Sequence, residues 1–256
     1  MTADSTDHIR PLAHLNGEKP PAPPWFTEAI DAPSEECEII VEGAKIRYSA
    51  WGERGKPGLL FIHGGRAHRN WWRPFAPAFT NKMRVAAIDL SGMGDSDWRE
   101  KYSLEVRIKE VFAVIDDAGL SLAGNPIVVG HSFGGWITLG CVQSGGEKLA
   151  GAVVIDSPLG LPDPHEGYSV GRHDGNQKRK TPRVDTSLID PIKRFRFLPS
   201  QPCEHLFLMD YIAREGLRKT DPGADPDGWI WKFDPNADGD YDLKFESDLL
   251  LSLIHI

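Results

Sequence analysis

The sequence predicts an α/β fold: a mostly parallel, doubly wound sheet with an inserted helical cap. Three observations carry that expectation. Short, continuous apolar runs recur at GLLFIH (58–63), RVAAIDL (84–90), PIVVGH (126–131) and AGAVVID (150–156), the pattern of strands covered on both faces. Helix-like segments fall between them, and alternating strand and helix implies parallel strands joined by right-handed crossovers. After Asp156 the alternation stops, and residues 157 to about 235 become rich in Pro, Gly and charge, as an insertion would be.

Residues 1–36 are polar and proline-rich, with PPAPPW at 20–25. Proline lacks an amide donor and disfavours helix and sheet interiors, so this stretch reads as an extended segment outside the domain. CEIIVEG and KIRYSAWG follow as two antiparallel strands, with Gly43 at the turn. Helices are expected at about 74–80, 103–118 and 133–144, the second from the amphipathic spacing of SLEVRIKEVFAVIDDAG. Residues 37–156 thus form the core and 157–235 the cap or lid, in which HLFLMDYIAREGL (205–217) supplies a short helix. Residues 236–256 stand apart as a truncated or foreign end, and LSLIHI resembles translated adapter sequence.

Composition narrows the function. The chain has 256 residues, 40% hydrophobic and 26% charged, with a net charge of -8, ordinary for a globular protein. A net negative charge argues against non-specific nucleic-acid binding, which needs clustered Lys and Arg, and favours a small-molecule substrate. Cys37, Cys141 and Cys203 form no CxxC pair, so neither a metal site nor a disulfide framework is predicted. No stretch approaches the ~18 apolar residues of a membrane span, and the first residues lack a signal-peptide apolar core. The expectation is a cytoplasmic protein without a membrane partner, its oligomeric state left open.

The sharpest chemical signal is Gly130-His131-Ser132-Phe133-Gly134-Gly135, a G-x-S-x-G motif between an apolar strand and a helical run. Small residues at 130 and 134 let strand and helix approach, so that Ser132 is raised on a tight turn as a nucleophile. The Phe133 amide, at the helix N-terminus, is placed to donate to an oxyanion. His63-Gly64-Gly65 ends the FIH strand, where a second donor is expected from the Gly64 amide. On its own this second motif is equally a glycine turn. His63, Gly65, Trp71, Trp72 and His131 are the expected substrate-binding residues around these donors.

With these motifs the chain resembles the α/β-hydrolase family, in particular its cap-bearing serine hydrolases, over about residues 37–235. Asp89-Leu90-Ser91-Gly92-Met93-Gly94-Asp95-Ser96 resembles the family's D-x-x-G-x-G-x-S loop, structural or substrate-lining there, and Trp229 and Trp231 resemble pocket-flanking segments that more often pack in a core. The resemblance implies hydrolysis of a small ester or related acyl compound through an acyl-enzyme, without a cofactor. It also implies a chain order of Ser, acid, His. Asp156 matches the family's earlier acid position, and two roles stay open to it: orienting the base, or ending the strand. His255 is the histidine near the C-terminus, and no strands of adequate length precede it, so no general base is assigned. Truncation, with the last strands missing, is the expectation, and the fragment would then be poorly active. The competing reading is a non-catalytic hydrolase-like protein that holds a small ligand. Finally, Asp234-Pro-Asn236-Ala-Asp238-Gly239-Asp240 has the oxygen spacing of a calcium loop, but Phe245 stands at its twelfth position. A solvated acidic turn is the alternative.

Overall fold

From Pro24 to Asp31 the chain forms helix α1, although the proline-rich run was expected to exclude helix. The physical reason is positional: proline is tolerated in the first turn, where its missing amide would lack a helical partner anyway. The helix stops at Asp31, just before the Ala32-Pro33 pair, as the restricted residue before a proline requires. The computed structural model describes residues 10–157, 180–198 and 200–237, together with two short strands at 169–170 and 241–242.

Strands β1 (Glu35–Val41) and β2 (Ala44–Trp51) pair antiparallel, with Val41 opposite Ala44. Their two-residue turn places Glu42 at φ 47° and Gly43 at φ 77°, the double positive φ of a type I′ turn, whose twist suits a hairpin. Strands β3 (Gly58–Ile62), β4 (Arg84–Ile88), β5 (Ile127–His131) and β6 (Gly151–Ile155) complete a six-stranded sheet in the order β1-β2-β4-β3-β5-β6. The pairs β3–β4, β3–β5 and β5–β6 are parallel. Successive residues of β3 feed opposite faces: Leu60 and Ile62 join one buried cluster, whereas Leu59 and Phe61 join another. Helix α2 (Leu104–Asp117) covers the first face with Val111, Val114 and Ile115, and α3 (Phe133–Gly145) adds Ile137 and Cys141. Ser103 caps α2 by accepting from the Val106 amide at 3.3 Å. The segment expected as a helix at 74–80 is a short 3-10 turn, Ala76–Phe79, because Pro77 removes a donor from so brief a run. Strand order reverses on the two sides of β3, so the carboxyl ends of β3 and β5 form the crevice where open α/β sheets place their sites.

This sheet belongs to a unit made of residues 31–180 and 233–256. Within it β7 (Ser169–Val170) pairs antiparallel with the strand Tyr241–Asp242. Residues 1–30 and 181–232 form the second unit, so the N-terminal segment expected as a bare extension is part of a folded body. Leu12 is fully buried there with Ile192, Met209, Ala213 and Leu217. Its helices α4 (Ile189–Arg194) and α5 (Leu206–Glu215) are followed by a hairpin of β8 (Leu217–Lys219) and β9 (Trp229–Trp231). Phe26 packs edge-on against Phe207, their ring centres 4.8 Å apart. Trp229 and Trp231 belong to this core, Trp231 lying 5.6 Å from Phe195. Among the described residues no helix is long and apolar enough to cross a membrane.

Candidate active site

Ser132 joins β5 to α3 at φ 50°, ψ −116°, a sparsely populated conformation that costs a non-glycine residue roughly 1–3 kcal/mol and persists only where neighbours over-determine it. Here the neighbours are explicit. The Ser132 amide donates to the Ile155 carbonyl at 2.8 Å, and its carbonyl accepts from the Gly135 amide at 2.9 Å and from Ser157 Oγ at 2.8 Å. The end of β6 therefore clasps the elbow from both sides. Removing the Ser157 hydroxyl is expected to destabilise the protein by about 1 kcal/mol, the usual worth of one internal hydrogen bond. Comparison of urea midpoints for Ser157→Ala and Ser157→Thr checks this, the threonine retaining the bond.

The two flanking glycines are demanded by approach distances. A Cβ on Gly130 would stand 2.2 Å from the Gly134 carbonyl oxygen and 2.3 Å from Thr138 Oγ1. One on Gly134 would stand 2.5 Å from the His63 oxygen and 2.6 Å from the Ile62 oxygen. Without side chains at these points α3 packs directly on the ends of β5 and β3. That packing brings the loop after β3 to the elbow: the Cβ position of Gly64 is 3.4 Å from Ser132 Cβ and 3.0 Å from His131 Nδ1, and that of Gly65 is 3.6 Å from Phe133 Cβ. Phe133 opens α3, so its amide belongs to the electropositive first turn.

His63 fixes the loop from behind. It is 1% exposed; its Nε2 faces the Leu90 amide at 3.2 Å, and its Nδ1 lies 2.7 Å from the Gly64 carbonyl. An amide can only donate, so Nε2 accepts, and Nδ1 carries the proton and donates. The same Gly64 carbonyl accepts from the Ala67 amide at 3.3 Å. Its peptide plane is thereby set, with the Gly65 amide on the opposite edge. Burial pushes the His63 pKa down to about 4, against a partly compensating Asp89 charge. An unfolded imidazole takes a proton near 6.5, so the stability from keeping His63 neutral is complete above that pH. It is lost as pH falls toward 4, a change of about 3 kcal/mol. Urea unfolding at pH 7 and pH 4.5 is expected to show this loss in the native chain and a smaller one in His63→Gln.

The loop's far end is tied down by charge. Asp89, fully buried, accepts from the Arg69 guanidinium, from the Arg69 amide at 2.5 Å and from the Asp95 amide at 2.8 Å. The D-x-x-G-x-G-x-S segment therefore acts structurally, bracing the turn that follows His63-Gly64-Gly65.

Beside Gly64 lies a cavity of about 150 Å3 lined by His63, Gly64, Trp71, Trp72, Phe75 and His131. The Trp71 and His131 rings are nearly parallel, 24° apart with centres at 6.2 Å, and Trp72 stacks on Phe61 at 4.5 Å. Of the residues expected to bind substrate, His63, Trp71, Trp72 and His131 line this space. Gly65 does not; it is exposed on the neighbouring turn. Burial lowers the His131 pKa, and the Asp156 charge opposes that shift. Asp156 itself is exposed, at φ 50° just past β6. It stands near His131 electrostatically. Phe75 and Ser157 went unrecognised in the sequence: no motif marks Phe75, and the role of Ser157 arises only from β6 lying beside β5. His255 lies outside the described residues.

The calcium-like spacing at 234–246 falls partly outside the described residues, but its first two ligands have other partners. Asp234 is 2% exposed; its Oδ2 accepts from Tyr102 at 2.8 Å and its Oδ1 from the Asn236 amide at 2.9 Å. Asn236 Oδ1 accepts from the Lys180 amide at 2.8 Å. This arrangement anchors the 233–237 segment to the loop after β4, where the Asp234 amide meets the Gly92 carbonyl at 2.8 Å.

Comparison with known proteins gives the family. Residues 59–246 match the model of the alpha/beta hydrolase family. Over 130 residues the chain is 34% identical to epoxide hydrolase 4 of Mus musculus, covering 48% of this chain and 34% of that protein. It is 28% identical over 141 residues to lipase LipV of Mycobacterium tuberculosis, covering 55% of this chain and 47% of that one. The chain thus spans about a third to a half of these relatives' length. A thioesterase domain from the curacin biosynthetic pathway superposes with a TM-score of 0.59 at 20% identity, over 79% of this chain and 70% of that domain, a likeness of fold. With the sheet order, the elbow and the family match in agreement, the chain belongs to the alpha/beta hydrolase family.

Proposed function

We propose that the protein is a serine hydrolase of small esters or related acyl compounds. Ser132 attacks the acyl carbon, and the oxyanion that forms is held by the Phe133 amide and by Gly64, with the Gly65 amide beside it. Collapse of that intermediate breaks the ester C–O bond and expels the alcohol, which leaves with the proton given up by Ser132; water then hydrolyses the acyl-enzyme to the free acid and restores the serine. The observation that carries this reading is the strained backbone of Ser132, which presents a hydroxyl beside a glycine loop at a helix N-terminus.

Relatives of this chain include an epoxide hydrolase as well as a lipase, and the chemistry of serine favours the second. A serine oxygen opening an epoxide would form an ether, which water does not readily cleave. The same oxygen on an acyl carbon forms an ester, which water cleaves. Asp156 is the proposed orienter, through its place at the end of β6, of a histidine base that is not assigned among the described residues. A burst assay with a small aryl ester tests the reading: it predicts rapid release of about one phenol per Ser132, followed by slower turnover. Absence of both burst and turnover from folded protein would favour a ligand-binding role.

A further inference from the structure

We propose that the cavity beside Gly64 is an acyl pocket for one uncharged aromatic ring, so that the preferred substrates are small arylcarboxylic esters of benzoyl size. The inference rests on the hydrolase reading above and gives it a substrate class.

Size and wall chemistry carry the argument. The cavity holds about 150 Å3, and an apolar protein cavity of ~150 Å3 accommodates benzene. The cavity is open at its mouth, and an extended long-chain acyl group would leave most of its length outside it, in water. Five of the six lining residues carry aromatic rings: His63, Trp71, Trp72, Phe75 and His131. Trp71 and His131 lie 24° from parallel with centres 6.2 Å apart, too close to admit a ring between them; together they make an aromatic wall against which a flat occupant packs. Trp72 is held against Phe61 at 4.5 Å with 15° between planes, so this wall is fixed.

The polar atoms of the lining add little that an ion could use. Both nitrogens of His63 are engaged, with the Leu90 amide and the Gly64 carbonyl. The imidazoles of His63 and His131 both favour their uncharged forms because of burial. With both imidazoles neutral none of the six lining residues carries a charge, so an ion entering here would lose hydration without a charged partner in the wall. An arene loses little. Placement completes the case: the α-carbon of Gly64 borders the cavity, and Ser132 Cβ stands 3.4 Å from the position its Cβ would take. A ring in the cavity would carry its carbonyl carbon at the edge nearest the nucleophile.

The test compares ethyl esters of benzoic, acetic, octanoic and 2-naphthoic acids by acid release from the full chain. Ligand-observed NMR with ethyl benzoate and the Ser132→Ala protein reads binding separately. The expected result is a kcat/KM for ethyl benzoate at least about tenfold above the octanoate and naphthoate esters. Trp71→Ala should enlarge the pocket and raise the naphthoate-to-benzoate ratio by about tenfold, while weakening benzoate binding. Should Trp71→Ala fail to fold, Phe75→Ala makes the same test, since Phe75 is 43% exposed. Saturable binding of ethyl benzoate to Ser132→Ala, weakened by the second substitution, with no hydrolysis by the native chain, would uphold the pocket and overturn the hydrolase reading. Hydrolysis of the esters with no benzoyl preference, or a preference for ethyl octanoate over ethyl benzoate, would overturn the pocket and leave the hydrolase reading standing.

Discussion

Ser132→Ala is expected to lower ester hydrolysis by at least about a thousandfold while leaving the protein folded. Removing a serine nucleophile leaves only substrate binding and oxyanion stabilisation, and in well-studied serine hydrolases the loss is larger still. The half-buried side chain of Ser132 contributes little packing, so urea midpoints should move little. A companion variant separates chemistry from strain. Ser132→Gly loses the same hydroxyl, but φ 50°, ψ −116° suits glycine. Relief of roughly 1–3 kcal/mol of strain then competes with roughly 0.5–1 kcal/mol of added chain entropy. Ser132→Gly should therefore be inactive and about 1 kcal/mol more stable than the native chain. Initial rates on a small aryl ester and equilibrium unfolding measure the two effects.

Gly134→Ala should have a large effect on stability, with a sign opposite to helix propensity. Alanine in a helix is favoured over glycine by about 1 kcal/mol. Here the added methyl would stand 2.5 Å from one backbone oxygen of the β3 end and 2.6 Å from another. Neither can swing away as a flexible side chain would. Overpacking costs about 1–3 kcal/mol and sometimes more, so we expect a net loss of at least about 2 kcal/mol, a large share of a typical 5–15 kcal/mol total. The relief available is movement of α3 away from β3, which would separate Phe133 from Gly64. Activity in any folded fraction should fall as well. Chemical denaturation with parallel rate measurements checks both.

The parts of the molecule legible in the sequence are those whose requirements are local. Strands β3, β4, β5 and β6 announce themselves because a strand covered on both faces has to be apolar throughout. The elbow is legible because glycine is needed at 130 and 134 whatever the rest of the protein does. Helix α1 was hidden by composition: prolines argue against helix in general, yet permit its first turn. The N-terminal segment read as an appendage because Leu12 shows its role only when Ile192 and Met209 are beside it. Contacts between distant loops were likewise invisible. The tie between Arg69 and Asp89, the grip of Ser157 on the Ser132 carbonyl and the part of Phe75 in the cavity wall all depend on strand order. Strand order is a property of the sheet, and no single segment states it.

The account centres on Ser132 as an activated nucleophile. Treatment of the folded chain with a fluorophosphonate, followed by intact-mass and peptide mapping, tests it most directly. One phosphonyl adduct per chain is predicted, on the peptide that contains Ser132, and Ser132→Ala should show none. An unmodified folded chain, or an adduct that persists in Ser132→Ala, would contradict it.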